Sequence, residues 1–271
     1  MKEKPLVSII TVCYNSEKHI EDTIKSVLNQ TYDNIEYIII DGNSTDGTLD
    51  IIEEYEPKFN GRMKWISEED AGIYDAMNKG IDIANGEIIG IINSDDYYVE
   101  DAVETIVSKF SFNQEIDVVY GNMFRIIPNS YVNLQEVVKS SIKGLEKKMT
   151  ICHPTCFVKT RVYKAIGKFN VQYKIAADYE LILRMKKAKM KFYYADKVLC
   201  YFRADGISSN NIYTLLDVKN IHLQYGFKVY GITNYIKRLV YLYFKRMKKN
   251  IICYILGERK YYKFKKFFWE K

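Results

Sequence analysis

The chain has 271 residues, 48% of them apolar and 27% charged, with a net charge of +6. That leaves room for one large α/β domain or two small ones, with an ordinary composition for a folded core. No run approaches the ~18 apolar residues of a membrane-spanning helix, and five scattered cysteines argue for reduced thiols over a disulfide or zinc framework.

In chain order, the apolar run Leu6 to Val12 reads as a buried strand ending on Thr11-Val-Cys-Tyr-Asn15. Asn15 and Ser16 are expected to cap the next helix, in which Ile20, Ile24, Val27 and Leu28 share a face. Ile35 to Ile40 is a second strand, and its loop, Asp41 to Thr48, is small and polar. A helix through Ile52 and Tyr55 follows, then a short strand, Arg62 to Ser67. The next helix carries Ile73, Met77, Gly80, Ile81 and Ala84 on one side and stops at Asn85-Gly86. Glu87 to Ile92 is the most apolar strand and ends on paired acids, Asp95 and Asp96. Two readings stand for that pair: a turn, or a grip on a divalent cation carrying a phosphorylated ligand. A helix through Val103 and Phe110 and a strand from Ile116 to Tyr120 continue the alternation, whereas residues 121–150 show no clear pattern.

Alternating strands and helices predict a mostly parallel sheet with right-handed crossovers. Three polar strand ends, Thr11–Asn15, Asp41–Thr48 and Asn93–Asp96, then share the edge at which such sheets bind ligands. There is no G-x-G-x-x-G after the first strand and no G-x-x-x-x-G-K-[ST], which disfavours a dinucleotide oxidoreductase and a P-loop hydrolase. Further on, His153 to Val158 reads as a strand entry, Asp178 sits near the start of a helix, and Phe192 to Tyr201 is extended.

The ordered set Ser8-Ile-Ile-Thr-Val-Cys-Tyr-Asn15, Ile40 to Thr48, Asp70 to Gly80, Asn93-Ser-Asp-Asp96, His153 to Phe157 and Ala177-Asp-Tyr-Glu180 resembles a family 2 glycosyltransferase of the bacterial surface-polysaccharide type. The resemblance spans roughly residues 5–210 and implies a GT-A fold, a Rossmann-like, mostly parallel central sheet flanked by helices. It implies inverting transfer from a nucleotide-sugar, usually a UDP-sugar, with Mn²⁺ or Mg²⁺ as cofactor. On that resemblance Thr11, Tyr14 and Asp41 line the uridine pocket, Asp95 faces the ribose, Asp96 ligates the metal and Asp178 is the catalytic base. The usual Glu-Asp pair is written here Ala177-Asp178, which leaves less acidic help at the acceptor. Arg203 is a candidate partner of the diphosphate, or else a surface ion pair; His153 borders the acceptor or metal site, or is a structural histidine.

Residues 1–210 are thus expected to form the catalytic domain and residues 211–271 a basic helical extension. From Lys228 onward there are 13 Lys or Arg against 2 Glu, a surplus of 11, so the remainder carries about −5. A helix capped by Thr233 and running to about Lys249 would segregate Ile236, Leu239, Val240, Tyr243, Phe244 and Met247 from Lys237, Arg238, Lys245 and Arg246. A second basic and aromatic stretch covers residues 259–269. Such segments suit an anionic membrane surface, hence a saccharide acceptor on a polyprenyl diphosphate and a peripheral place on the cytoplasmic side of the cell membrane. A nucleic-acid partner would leave the acidic strand ends unexplained. A sugar nucleotidyltransferase should show a glycine-rich loop after the first strand, and a non-catalytic scaffold on the same fold is the remaining alternative.

Overall fold

A computed structural model describes residues 4–127, 134–203 and 212–256 of the chain. The isoleucine-rich runs become strands β1 (Val7–Cys13), β2 (Ile35–Asp41) and β4 (Ile88–Asn93), with β3 (Met63–Ser67) between the latter two in sequence. β1 and β2 are buried at every residue, as expected of strands covered on both faces. Helices α1 (Ile20–Leu28), α2 (Thr48–Tyr55) and α3 (Ile73–Ile83) connect them. Next come β5 (Tyr97–Tyr98), α4 (Ala102–Phe112), β6 (Val118–Ile127), β7 (Leu134–Val138) and β8 (Phe157–Lys159). The chain continues through α5 (Thr160–Ile166), α6 (Ala177–Lys187), β9 (Phe192–Arg203), α7 (Ile212–Gln224) and α8 (Lys228–Leu256).

The described strands form one sheet in the order β3-β2-β1-β4-β8-β6-β9-β5, with β7 on β6. β3, β2, β1 and β4 are parallel, and so are β6 and β9. β8 runs antiparallel to both β4 and β6 and joins the two halves. Gly90 makes that join possible: a Cβ there would lie 2.4 Å from the Phe157 ring. Alternate residues of each strand feed opposite cores. Ile9 and Ile39 pack with Ile24, Ile52 and Ile106 of α1, α2 and α4. Ile10, Ile38 and Ile40 pack with Met77 of α3 and Ile182 of α6. Each such burial contributes about 1.5–3 kcal/mol, which is why an unbroken apolar run is needed.

The mixed α/β sheet with its flanking helices bears out the expected fold class. Several local expectations change. Asn15 and Ser16 do not cap α1, which begins at Ile20 behind a turn closed by the Ser16 carbonyl. Residues 121–127 extend β6 and residues 134–138 form β7; α5 forms where no element was expected, and α7 falls within the helical extension expected from residue 211. Thr233 lies inside α8, its hydroxyl donating to the Val229 carbonyl at 2.8 Å, so it is not a cap. α7 packs into the main body: Ile221 and His222 have no exposed surface, and His222 Nε2 lies 3.0 Å from the Tyr179 hydroxyl of α6. The packed body therefore continues beyond residue 210. The stretch 259–269 lies outside the described residues.

Candidate functional site

The site is built where β2, β1 and β4 end. Cys13 pairs with Asp41, and Val12 with Asn93, so three neighbouring strands stop nearly level. Their loops are stitched together. The Asn15 amide donates to Ser44 Oγ (2.8 Å), the Thr45 amide to Asn15 Oδ1 (2.9 Å), and the Ser16 amide to Thr48 Oγ1 (2.7 Å). Ser16 Oγ lies 2.8 Å from Ser94 Oγ, tying the first loop to the β4 end. Asn15 adopts a left-handed φ of 47°, which asparagine tolerates better than most residues.

Asp41 has no exposed surface. Oδ2 accepts from the Ser44 amide (2.9 Å) and Ser67 Oγ (2.7 Å), and Oδ1 from Ser44 Oγ and Cys13 Sγ. Its carboxylate shapes the loop floor. Burial, then Asp41 itself, pushes the Cys13 thiol up, so it stays a donor. Thr11 departs from expectation. It too is fully buried, its hydroxyl accepting from Tyr37 at 3.0 Å, two residues short of the rim. Strand alternation places Cys13 beside Asp41 instead. Tyr14 is 63% exposed, so its ring is open to a ligand. Gly42 lies between Tyr14 and Asp70: a Cβ there would sit 2.7 Å from Asp70 Oδ2. That contact brings the loop before α3 to the same rim.

Asp95 and Asp96 differ sharply. Asp95 is half-buried, whereas Asp96 has no exposed surface. Asp96 Oδ1 accepts from the Arg203 amide at 2.9 Å, and Oδ2 has no hydrogen-bond partner among the described residues. Burial, then the Asp95 charge, pushes the Asp96 carboxyl well up, against the pull of Arg203. A buried acceptor without a donor fits a hard cation. Among the described residues no three His, Cys, Asp or Glu cluster as a ready-made cage, so other ligands would have to come from a diphosphate and water. Arg203 is engaged in an ion pair, the second of its two expected readings. One guanidinium nitrogen donates to the Asp95 carbonyl (2.7 Å), another to Asp22 (2.6 Å), and the group lies over the Tyr97 ring. It fixes the Asp95–Asp96 turn to α1.

Asp178 is the second residue of α6 and is half-buried. Oδ1 accepts from the Tyr179 amide (2.8 Å) and the Tyr74 hydroxyl (3.2 Å). Tyr74 belongs to the first turn of α3, two residues beyond the Gly72 whose amide donates to Asp70 at 2.7 Å. Asp178 is thereby linked through α3 to the rim at Gly42. Burial, then the Asp178 charge, pushes the Tyr74 phenol well up and keeps it a donor. His153 is edge-on to Phe169, and burial pushes its pKa down against the opposing pull of Asp178.

The sequence reading therefore gave no role to Cys13, Asp70 or Tyr74 within its motifs and did not name Asp22 as the partner of Arg203. Strand parity would have marked Cys13; the others depend on contacts between distant segments. A cleft of about 1120 Å³ lies at the opposite end of the sheet, lined by Lys4, Gly86, Lys159 and Lys168, away from every one of these carboxylates.

Known proteins share this fold. The sequence model of Glycosyl transferase family 2 matches residues 8–171. A PGL/p-HBAD biosynthesis glycosyltransferase of Mycobacterium tuberculosis is 30% identical over 181 residues, 66% of this chain and 69% of that protein. The crystal structure of S. aureus TarS in complex with UDP-GlcNAc aligns with a TM-score of 0.65 at 21% identity, over 80% of this chain and 65% of that one. A Pyrobaculum calidifontis mannosyltransferase in complex with GDP-Man and Mn²⁺ aligns with a TM-score of 0.62 at 18% identity, over 81% and 64%. The chain thus spans slightly under two thirds of both solved structures, and at these identities the likeness is one of fold.

Proposed function

This chain belongs to Glycosyl transferase family 2, and from that premise we propose that it moves a sugar from a nucleoside-diphosphate donor, a UDP-sugar, to a saccharide hydroxyl with inversion. The observation that carries this reading is the shared rim. Loops from β1, β2 and β4 are hydrogen-bonded into one edge, and Asp178 joins it through Tyr74.

The exposed Tyr14 ring faces the base, and Gly42 and Asp70 bound the nucleoside side, with Asp41 holding the loop from beneath. Asp96 would hold a divalent cation through Oδ2, with Asp95 on the solvent side. When bound, Mg²⁺ or Mn²⁺ supplies Lewis-acid stabilisation of the leaving diphosphate. Asp178 takes the proton of the attacking hydroxyl, a contribution of about 100- to 10,000-fold. Asp178→Asn is expected to keep UDP binding within ~2-fold while turnover falls ~1000-fold. Binding by titration calorimetry and release of UDP from donor together check this, and normal turnover in the variant would end the assignment.

The acceptor is a lipid-linked saccharide, presented at an anionic membrane surface by α8. Beyond Gly231 no described side chain of α8 is buried. Ile232, Ile236, Val240, Tyr243 and Phe244 lie exposed, as do Lys237 and Arg238. No described helix is long and apolar enough to cross a membrane. Anionic lipid attracts about 1 kcal/mol per nearby Lys or Arg. Co-sedimentation with phosphatidylglycerol vesicles should be salt-sensitive and lost on deleting residues 233–271; equal binding to neutral vesicles would count against it.

A further inference from the structure

We propose that Asp217 of α7, a helix beyond the residues matched by the family model, is a positioning residue for Asp178, acting with Tyr74 as a two-sided brace. This rests on Asp178 being the base.

α6 starts behind Ala176, whose side chain offers no cap. Asp217, only 7% exposed, supplies one from another helix. Its Oδ2 accepts the amides of Ile175 (2.8 Å) and Ala176 (3.2 Å). From the other side the Tyr74 hydroxyl donates to the Ile175 carbonyl at 2.6 Å. The Ile175–Ala176 peptide is therefore held at its N–H by α7 and at its C=O by α3, just before the helix that carries the base. The same Tyr74 hydroxyl reaches Asp178 Oδ1, as does the Tyr179 amide. Both bonds fall on Oδ1, and Oδ2 takes none among the described residues. The brace thus sets where the helix starts and which oxygen of Asp178 is left to take a proton. α7 is itself anchored: His222 meets the Tyr179 hydroxyl, and the Tyr173 hydroxyl donates to Gln224 at 2.6 Å.

A simple helix cap would affect stability alone. Misplacing a reacting group by ~1 Å can cost ~100-fold in rate, so a positioning residue affects kcat with ligand affinity spared. Asp217→Ala should lower kcat for UDP release from UDP-GlcNAc, with water as acceptor, by about 10- to 100-fold. KM and the Kd for UDP should stay within ~2-fold, and Asp217→Asn, which keeps an acceptor oxygen, should restore kcat to within ~3-fold of wild type. An Asp217→Ala protein that melts lower yet turns over normally below its transition overturns the proposal.

Tyr74→Phe decides independently of substrate and of whether Asp217→Ala folds. The titratable groups facing Asp178 include Tyr74 from α3 and His153 and Cys156 from the turn before β8. Among them Tyr74 shares its one proton between the Ile175 carbonyl and the Asp178 carboxylate. Its loss should shift the Asp178 carboxyl ¹³C resonance at fixed pH; an unmoved resonance overturns the brace. Wild-type turnover in Asp178→Asn would instead sink the underlying assignment, a result separate from both.

Discussion

Two buried carboxylates, one at each end of the sheet, have opposite fates. Glu36 stands near the start of β2. It accepts from Ser8 Oγ, from the Asn85 and Gly86 amides and from the Asn85 side chain. Burial alone would push its carboxyl up, but the bonds from Ser8 and Asn85 outweigh it and hold the pKa below the usual range. Asp96 stands beyond the end of β4 with one backbone donor and one oxygen unmatched, and its pKa is pushed up. A buried acid supplied with donors holds the scaffold together. A buried acid with a spare oxygen is costly to the fold, and a bound cation would offset that cost.

Glu36→Ala should break the scaffold side of the contrast. It strands the Ser8 hydroxyl proton and the Asn85 amide, at about 1–3 kcal/mol for a buried unmatched group, while the Gly86 amide keeps Ser8 Oγ as its acceptor at 2.8 Å. We expect a loss of about 3 kcal/mol by urea denaturation, with UDP affinity unchanged in the folded protein. Asp96→Asn tests the other side. It should weaken Mn²⁺-dependent UDP binding by ~10- to 100-fold, about 1.4–2.7 kcal/mol. Its melting temperature should hold or rise, because a desolvated charge is removed. A variant that binds UDP and Mn²⁺ as well as wild type would make Asp96 a structural residue like Glu36.

The smallest effect is the pH dependence of the Glu36 clamp. The folded pKa lies below the unfolded one, so the contribution is complete above the ordinary carboxylate range, ~4.3. It is lost as pH falls through the folded value. The stability gap between wild type and Glu36→Gln should therefore narrow as pH falls below the ordinary carboxylate range. A gap that persists at lower pH would mean that the clamp does not depend on the charge.

The rim was largely legible because its residues follow strand ends, and strand ends can be read from where apolar runs stop. Asp41, Asp95 and Asp96 were found this way. Thr11 was misplaced by the same logic applied without parity: it lies two residues before the strand end and points into the sheet, where Tyr37 takes it. Arg203 was hidden by distance. Its partners Asp22 and Asp95 are 181 and 108 residues away, and no local pattern announces that pairing. α7 was expected only as part of a helical extension, and its packing against Tyr179 of α6 and Tyr230 of α8 through His222 depends on contacts between separate segments.

The sequence by itself determined the alternation of strand and helix, the edge at which the polar strand ends meet, and the set of acids offered there. Those depend on periodicity and on loop chemistry, which are local properties of a chain. Tertiary structure alone decided which acids are saturated with donors and which keep an oxygen open. It also brought Tyr74 and Asp217 from opposite sides onto the Ile175–Ala176 peptide that precedes α6. Hydrogen-bond satisfaction depends on what distant segments place within about 3 Å, and only folding makes those segments neighbours.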